Sequence, residues 1–188
     1  MQEKDEILYL RFLSEQNEED LRTLLIRHRE RLTLFLYGYV QDMDEAEDLM
    51  LDCFALIASG TVKYHIMEES SFKTWLFAIA RNKAKMFLRK KKLTTVALEE
   101  ANAMVDSDSP ELDLLRGERQ IQLYQALNQI HPDYRQVLYL LYFEDMSYEE
   151  ISQIMQKRVK QIYNLASRGR KSLKETLERM GFEYEEDR

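Results

Sequence analysis

Residues Ser147 to Leu173 have the sequence SYEEISQIMQKRVKQIYNLASRGRKSL, which predicts two helices separated by a tight turn. Ser147 is followed three residues later by Glu150, a pairing typical of the capping box at a helix start. A polar break follows at Gln156 to Arg158. The second helix then presents apolar residues at helical spacing, namely Val159, Ile162, Leu165, Ala166 and Leu173. The stretch therefore predicts a helix-turn-helix.

The second of these helices is strongly cationic. Seven basic residues and no acidic residue occur between Lys157 and Lys174. A short capped helix, a turn and a basic second helix are typical of motifs that place the second helix in a DNA major groove. A helical hairpin with a solvated basic face remains the alternative, since many hairpins carry basic stripes.

The composition favours an all-α protein of one or two domains. The chain has 188 residues but only five glycines and two prolines, so it contains few tight turns. Apolar residues recur every three or four positions, and no convincing alternating pattern is present.

The charge of the chain is segregated. The net charge is −7, which is unusual for a protein that binds nucleic acid. From Ser70 to Leu98, however, there are eight basic residues and no acidic one. Because salt screens charges beyond about 8 Å, local charge rather than net charge governs contact with phosphates.

Cysteine and hydropathy patterns indicate a cytoplasmic protein without membrane insertion. The single cysteine, Cys53, falls on an apolar stripe and is expected to be a core residue. The first residues, MQEKDEILYLRF, are too charged for a signal peptide. The longest apolar runs, 34–40 and 137–143, are far shorter than the roughly 20 residues of a membrane span.

An acidic amphipathic helix is predicted for DEAEDLMLDCFALI, capped by Asp42 or Asp44. Its buried stripe is predicted to consist of Ala46, Leu49, Met50, Cys53, Phe54 and Ile57. The opposite face carries Asp44, Asp48, Leu51 and Ala55, with Asp52 beside them. A leucine among carboxylates suits contact with a basic protein surface. A solvated acidic face with one stray leucine is the alternative.

A basic helix is predicted for SFKTWLFAIARNKAKMFLRKKK, residues 71–92. Its expected buried stripe is Phe72, Trp75, Leu76, Ile79, Ala80, Met86 and Phe87. The outward face is expected to carry Thr74, Phe77, Arg81, Lys85 and Leu88, with Asn82 and Arg89 at its margin. Cations beside an aromatic ring can hold a phosphate backbone and stack on unpaired bases. A solvated basic helix with a structural tryptophan is the alternative.

The segment 93–118 is predicted to be an acidic flexible linker, because it contains seven acidic residues, Ser107, Ser109 and Pro110 but no convincing apolar stripe. It separates two helical domains, residues 1–92 and 119–188. Asn17 is expected to cap an earlier helix that buries His28, and Pro132 is expected to start a later one. His28 has no second histidine or cysteine at ligand spacing, so no metal site or other cofactor is expected.

The ordered set of segments resembles a bacterial RNA polymerase sigma factor of the extracytoplasmic-function type in the sigma-70 family. The resemblance rests on DEAEDLMLDCFALI, FKTWLFAIARNKA, the linker and HPDYRQVLYLLYFEDMSYEEISQIM with the basic helix after it. It implies an all-α chain with two conserved domains, region 2 in residues 1–92 and region 4 in residues 119–188. It also implies binding to the β′ and β subunits of core RNA polymerase and to promoter DNA.

The resemblance implies three groups of site residues. The polymerase-docking positions are Asp44, Asp48, Leu51 and Asp52, where the family usually has glutamine and glutamate in place of the last two. The positions for the −10 promoter element are Tyr64, His65, Lys73, Phe77, Arg81, Asn82, Lys85 and Arg89. The positions for the −35 element are Arg158, Lys160, Gln161, Asn164, Ser167, Arg168, Arg170 and Lys171. Gln156 stands where the family often has glycine, so the turn is expected to need a different backbone path.

The function expected on this basis is promoter-directed initiation, with an anti-sigma protein as a further possible partner and the acidic linker lying in a basic channel of the polymerase. A helix-turn-helix regulator that does not replace a sigma factor is the first alternative. An enzyme is the second, but the chain has no P-loop, no HExxH and no Ser/His/Asp set. We therefore expect no catalytic activity.

Overall fold

Helices make up most of the chain in a computed structural model that describes residues 3–62, 71–97 and 117–182. No strand occurs in these ranges, which confirms the all-α prediction. The helices are α1 (Asp5–Glu15), α2 (Glu18–Val40), α3 (Met43–Ala58), α4 (Phe72–Ala97), α5 (Glu118–Asn128), α6 (Pro132–Tyr142), α7 (Tyr148–Met155) and α8 (Val159–Arg179). One unit contains α1–α4, and a second contains α5, α6, α8 and the beginning of α7.

Side-chain caps start several helices, as the sequence predicts. Asn17 Oδ1 accepts a hydrogen bond from the backbone N–H of Glu19 at 3.2 Å. Asp42, rather than Asp44, caps α3 by accepting from the N–H of Glu45 at 2.9 Å. Each cap satisfies a donor that has no partner within the helix, and such caps contribute about 1 kcal/mol.

The capping box before α7 is also confirmed. Ser147 Oγ accepts a hydrogen bond from the N–H of Glu150 at 3.2 Å. In return, the N–H of Ser147 donates to Glu150 Oε2 at 2.9 Å. The two bonds fix the residue at which α7 begins, and therefore the start of the helix-turn-helix.

Three glutamines occupy the left-handed region at helix ends. Gln16 follows α1 with φ 56°, Gln41 follows α2 with φ 57°, and Gln156 follows α7 with φ 52°. Glycine is the usual residue in this conformation, since it has no Cβ to clash with the backbone. The prediction that the turn at Gln156 takes a different backbone path is wrong, because the glutamine itself adopts the left-handed conformation.

The first unit has an aromatic core. The hydroxyl of Tyr9 donates to the carbonyl of Ile57 at 3.1 Å, which ties α1 to the end of α3. The Tyr9 ring lies 5.2 Å from that of Phe72 at the start of α4. All six residues of the predicted α3 stripe are buried, and Cys53 is among them as expected.

Helix α4 differs from its prediction because it buries more than one face. It contacts α1, α2 and α3. The stripe with Phe72, Leu76 and Ala80 is buried as expected, but the residues predicted to face outward at 74, 77 and 81 are buried too. Met86, predicted to be buried, is 64% exposed. A prediction that assumes one buried stripe fails for a helix that packs against neighbouring helices on several sides.

The second unit is built around a small aliphatic core of Ala126, Leu127, Ile130, Leu138, Leu173 and Leu177. Pro132 occupies the first turn of α6 as predicted, and His131 Nδ1 caps that helix by accepting from the N–H of Asp133 at 3.2 Å. Gly169 lets α8 approach α6, because a Cβ there would lie 3.2 Å from Leu138 Cδ1. Arg135 donates to the carbonyls of Leu127 and Asn128 at 3.0 and 2.6 Å and so closes the end of α5.

The helices extend close to the segment predicted to be a linker. Helix α4 continues to Ala97, past residue 92 where the first domain is predicted to end. Helix α5 begins at Glu118. Most of the predicted linker, residues 98–116, lies outside the described residues. None of the helices in the described ranges combines the length and the apolar character that crossing a membrane requires.

Candidate functional surfaces

The acidic face of α3 is exposed. Asp44, Asp48 and Asp52 are all exposed, and Leu51 among them is 53% exposed. The inner face of the same helix is buried, so packing holds the helix in position while its outer face is exposed to solvent. We call Asp44, Asp48, Leu51 and Asp52 the acidic surface.

Two lysines of α4 reach toward α3. Lys83 Nζ lies 3.4 Å from Asp52 Oδ2, and Lys91 Nζ lies 2.6 Å from Glu45 Oε1. Asp44 and Asp48 form no ion pair within the described residues. Exposed ion pairs contribute little, about 0–1 kcal/mol, so the acidic surface keeps most of its capacity to attract a basic partner.

The cysteine of α3, Cys53, has a thiol of low reactivity. Burial raises the pKa of the Cys53 thiol to about 12. Since the thiolate is the nucleophile and the metal-binding form, this residue acts as part of the core.

The basic surface of α4 is smaller than predicted. Asn82, Lys85 and Arg89 are exposed, and Lys73 is partly exposed. Phe77 is 0% exposed and packs edge-on against Phe35, with ring centroids 5.0 Å apart. The prediction that Phe77 faces outward is therefore wrong, and its ring is not available to stack on a base.

Arg81 is also buried, which contradicts its predicted position on the outward face. It is 6% exposed, and its Nε and Nη1 donors form no hydrogen bond within the described residues. A buried guanidinium is normally paired, because leaving donors without acceptors is unfavourable. Tyr64 and His65, the other two predicted −10 residues, lie outside the described residues.

Helix α8 and its N-cap residue Arg158 expose every side chain predicted for the −35 element. These are Arg158, Lys160, Gln161, Asn164, Ser167, Arg168, Arg170 and Lys171. The opposite side of the helix is buried through Ile162, Ala166, Gly169 and Leu173. Gln161 has a structural role as well, since its Oε1 accepts from the backbone N–H of Arg158 at 2.8 Å and caps α8.

A tyrosine pair joins α7 to α8 and was not predicted from the sequence. The rings of Tyr148 and Tyr163 stack with centroids 3.9 Å apart and an interplanar angle of 17°. Arg170 Nη1 donates to the Tyr148 hydroxyl at 3.3 Å. Hydrogen bonds to Tyr148 and Tyr142 raise the pKa of Arg170. Helical periodicity identifies which residues are neighbours within one helix. It does not predict this contact, because the contact joins two helices.

The first unit contains a partly buried carboxylate network that involves His28. Asp5 Oδ2 lies 2.7 Å from His28 Nε2, and Asp5 Oδ1 accepts from Arg27 Nη1 at 2.7 Å. Burial raises the pKa of Asp5, but the hydrogen bonds from His28 and Arg27 outweigh it and hold the pKa below its ordinary value. The network joins α1 to α2, and His28 is a buried structural residue, as predicted.

Two family models match the chain in the predicted order. The model described as sigma-70 region 2 matches residues 24–94. The model described as sigma-70, region 4, matches residues 120–173. The first match includes α3 and most of α4, and the second includes the helix-turn-helix.

Known proteins resemble the chain over most of its length. The RNA polymerase sigma-H factor of Pseudomonas aeruginosa is 30% identical over 165 residues, which cover 82% of this chain and 84% of that protein. The sigma factor SigX of Bacillus subtilis, of the extracytoplasmic-function (ECF) type, is 27% identical, and the match covers 90% of this chain and 90% of that protein.

Solved structures support the same fold. The sigma factor RpoE of Bartonella quintana, in complex with the anti-sigma factor NepR, matches with a TM-score of 0.65 and 23% identity over 85% of this chain and 98% of that one. CnrH, in complex with the cytosolic domain of CnrY, matches with a TM-score of 0.63 and 18% identity over 93% of this chain and 97% of that one. Family models, relatives and fold agree, and the chain belongs to the sigma-70 family of RNA polymerase sigma factors, as a member of the extracytoplasmic-function type.

Proposed function

We propose that this sigma factor directs core RNA polymerase to promoters and helps to open them. Its acidic surface docks on the core enzyme, α4 holds the −10 element, and α8 binds the −35 element as duplex. Membership of the family favours this function over that of a regulator that does not replace a sigma factor. We place the domain boundaries near residues 92 and 119, with α4 extending to Ala97.

The observation that carries the docking proposal is the exposed leucine in the acidic surface. Leu51 is 53% exposed on a helix whose other apolar residues are largely buried. A central apolar contact surrounded by charge is the usual arrangement of a protein interface. Asp44 and Asp48 form no ion pair in the part of the chain that the structure describes, and their carboxylates suit a basic partner surface. We assign this partner surface to the β′ subunit, with β as a further contact.

Strand opening requires binding energy rather than a nucleophile or a metal. Unstacking and flipping a base costs a few kcal/mol. Contacts from Asn82, Lys85 and Arg89 to phosphates and separated bases can offset that cost, because these side chains are exposed along one helix. With Phe77 buried, the stacking ring for this site has to come from elsewhere. We therefore propose binding without catalysis, and no cofactor.

The −35 proposal rests on the exposed surface of α8 before Glu175, which carries no acidic residue. From Lys157 to Lys174 every charged residue is basic, and the capped turn before α8 fixes which side chains point outward. The first residues of such a helix contact base edges, and its flanking cations contact phosphates.

We also propose an anti-sigma protein as a partner and the cytoplasm as the location. RpoE, which shares this fold, was solved in complex with the anti-sigma factor NepR, and CnrH was solved in complex with the cytosolic domain of CnrY. The exposed acidic surface and the basic helices are the surfaces that such a partner would cover to prevent binding to the core enzyme.

A competition assay for core RNA polymerase tests the docking proposal. The double substitution Asp48→Ala and Leu51→Ala should abolish competition against a labelled sigma factor and leave the melting temperature unchanged. The matched control is Ile26→Ala with Glu30→Ala, which also removes one exposed aliphatic and one exposed acidic side chain, but from α2. Equal competition by the two double variants would refute docking through the acidic surface.

Promoter opening separates the two candidate functions. A sigma factor should open promoter DNA only together with the core enzyme, as detected by permanganate reactivity of unpaired thymines. A regulator would bind duplex promoter DNA alone and would not change the selectivity of the core enzyme.

A further inference from the structure

We propose that Tyr163 is a specificity-determining residue that contacts the 5-methyl group of a thymine in the −35 element. The proposal rests on the function proposed for α8. It adds a residue outside the set predicted from the sequence and assigns it a chemical group on the DNA.

The position of Tyr163 in α8 suits contact with a base. It is the fifth residue of the helix and precedes Asn164, one of the predicted −35 residues. In a helix-turn-helix, residues near the start of the second helix reach base edges in the major groove. Tyr163 is 50% exposed, so half of this large side chain remains available for contact.

The stack on Tyr148 holds the Tyr163 ring in one orientation. With centroids only 3.9 Å apart and planes 17° from parallel, one face of Tyr163 is covered by Tyr148. Arg170 donates to the Tyr148 hydroxyl at 3.3 Å and steadies the second ring. An exposed ring that is already held in place loses little conformational entropy when it binds.

The chemistry of the exposed part of the Tyr163 ring favours thymine. In the major groove, thymine is the base that presents a methyl group, and apolar side chains contact it there. The cations around Tyr163 on α8, at Lys160 and Arg170, direct this surface toward DNA rather than toward an apolar protein groove. The ring therefore supplies an apolar contact within a surface that otherwise binds phosphates and polar base edges.

Replacement of thymine by deoxyuridine tests the contact by removing only the methyl group. Holoenzyme assembled with the full chain is titrated with duplexes that carry the −35 element of a promoter it transcribes, each with one thymine changed to deoxyuridine. One such change should weaken binding of the wild-type holoenzyme about fourfold, the value expected for one buried methyl-sized group. Tyr163→Ala should bind the thymine and deoxyuridine duplexes equally, and Tyr163→Phe should behave as wild type.

Lys160→Ala is the control for a phosphate contact. It should weaken binding to both duplexes by the same factor and reduce the salt dependence, while the difference between thymine and deoxyuridine remains. The melting temperatures of all variants show whether the fold is retained.

Two results would overturn the proposal. If no thymine-to-deoxyuridine change weakens wild-type binding, Tyr163 contacts no thymine methyl, and this comparison needs no variant. If Tyr163→Phe binds both duplexes as weakly as Tyr163→Ala, the hydroxyl makes the contact and the ring does not contact the methyl group. Failure of the proposed function is a separate result, because the wild-type holoenzyme would then not discriminate the −35 duplex from unrelated DNA.

Discussion

Replacing Arg81 with methionine should stabilise the free protein. Arg81 is 6% exposed on α4, and two of its donors, Nε and Nη1, form no hydrogen bond within the described residues. Methionine has a similar length and a flexible apolar chain, so it can occupy the same space without bringing donors that need acceptors. The substitution therefore removes the unfavourable free energy of the two buried donors and keeps most of the packing.

The magnitude follows from the two unpaired donors. A buried donor left without an acceptor costs about 1–3 kcal/mol. Because the costs of neighbouring groups are not additive, we expect a total gain of about 1–3 kcal/mol rather than twice that amount. For a unit of this size, about 1 kcal/mol corresponds to roughly 4–8 °C in melting temperature.

Thermal and urea unfolding measure the effect, with Arg89→Met as the control. Arg89 lies on the same helix but is exposed, so its substitution should change the free energy of unfolding by less than about 0.5 kcal/mol. A loss of stability in Arg81→Met would refute the reasoning, since it would mean that the guanidinium has a stabilising partner. If Arg81 instead serves promoter opening, Arg81→Met should gain stability and lose open-complex formation together.

Three further predictions concern the turn at Gln156, the carboxylate network around Asp5, and α8. Gln156→Gly should stabilise the second unit by about 0.5–1 kcal/mol, because the left-handed cost of roughly 1–2 kcal/mol exceeds the entropic cost of glycine; an unchanged urea midpoint would contradict this. The pKa of Asp5 lies below 3.8, so its stabilising effect is complete above that value and is lost as the pH falls through the lowered pKa. Melting curves between pH 7 and pH 2 should show this loss, and Asp5→Asn should reduce it. Arg168→Ala should lower the slope of −35 affinity against salt by about 1, and an unchanged slope would place Arg168 away from phosphates.

The sequence predicts α3 well and α4 poorly, for a physical reason. Helix α3 buries one stripe, so the periodicity of its apolar residues identifies both its inner and its outer face. Helix α4 is contacted by three helices, and its burial follows the positions of those helices. The periodicity places Phe77 and Arg81 on an outward face, but the neighbouring helices cover that face.

Local signals in the helix-turn-helix were informative, whereas contacts between helices were not. The pairing of Ser147 with Glu150 and the exposure of the basic residues of α8 follow from residues close in sequence. The stack of Tyr148 on Tyr163 depends on the crossing of two helices, which no spacing along the chain specifies. Gln156 shows a further limit, because glycine preference predicts the turn conformation but does not exclude another residue from it.

The contact between Lys83 and Asp52 links the two proposed binding surfaces of the first unit. Their ion pair, at 3.4 Å, is largely solvated and therefore inexpensive to break. If Asp52 docks on the core enzyme, a cation of the polymerase replaces Lys83 as its counterion. The released ammonium group is then free to neutralise a phosphate of the promoter, so that recruitment of the enzyme and affinity for DNA are coupled through one exchange of partners.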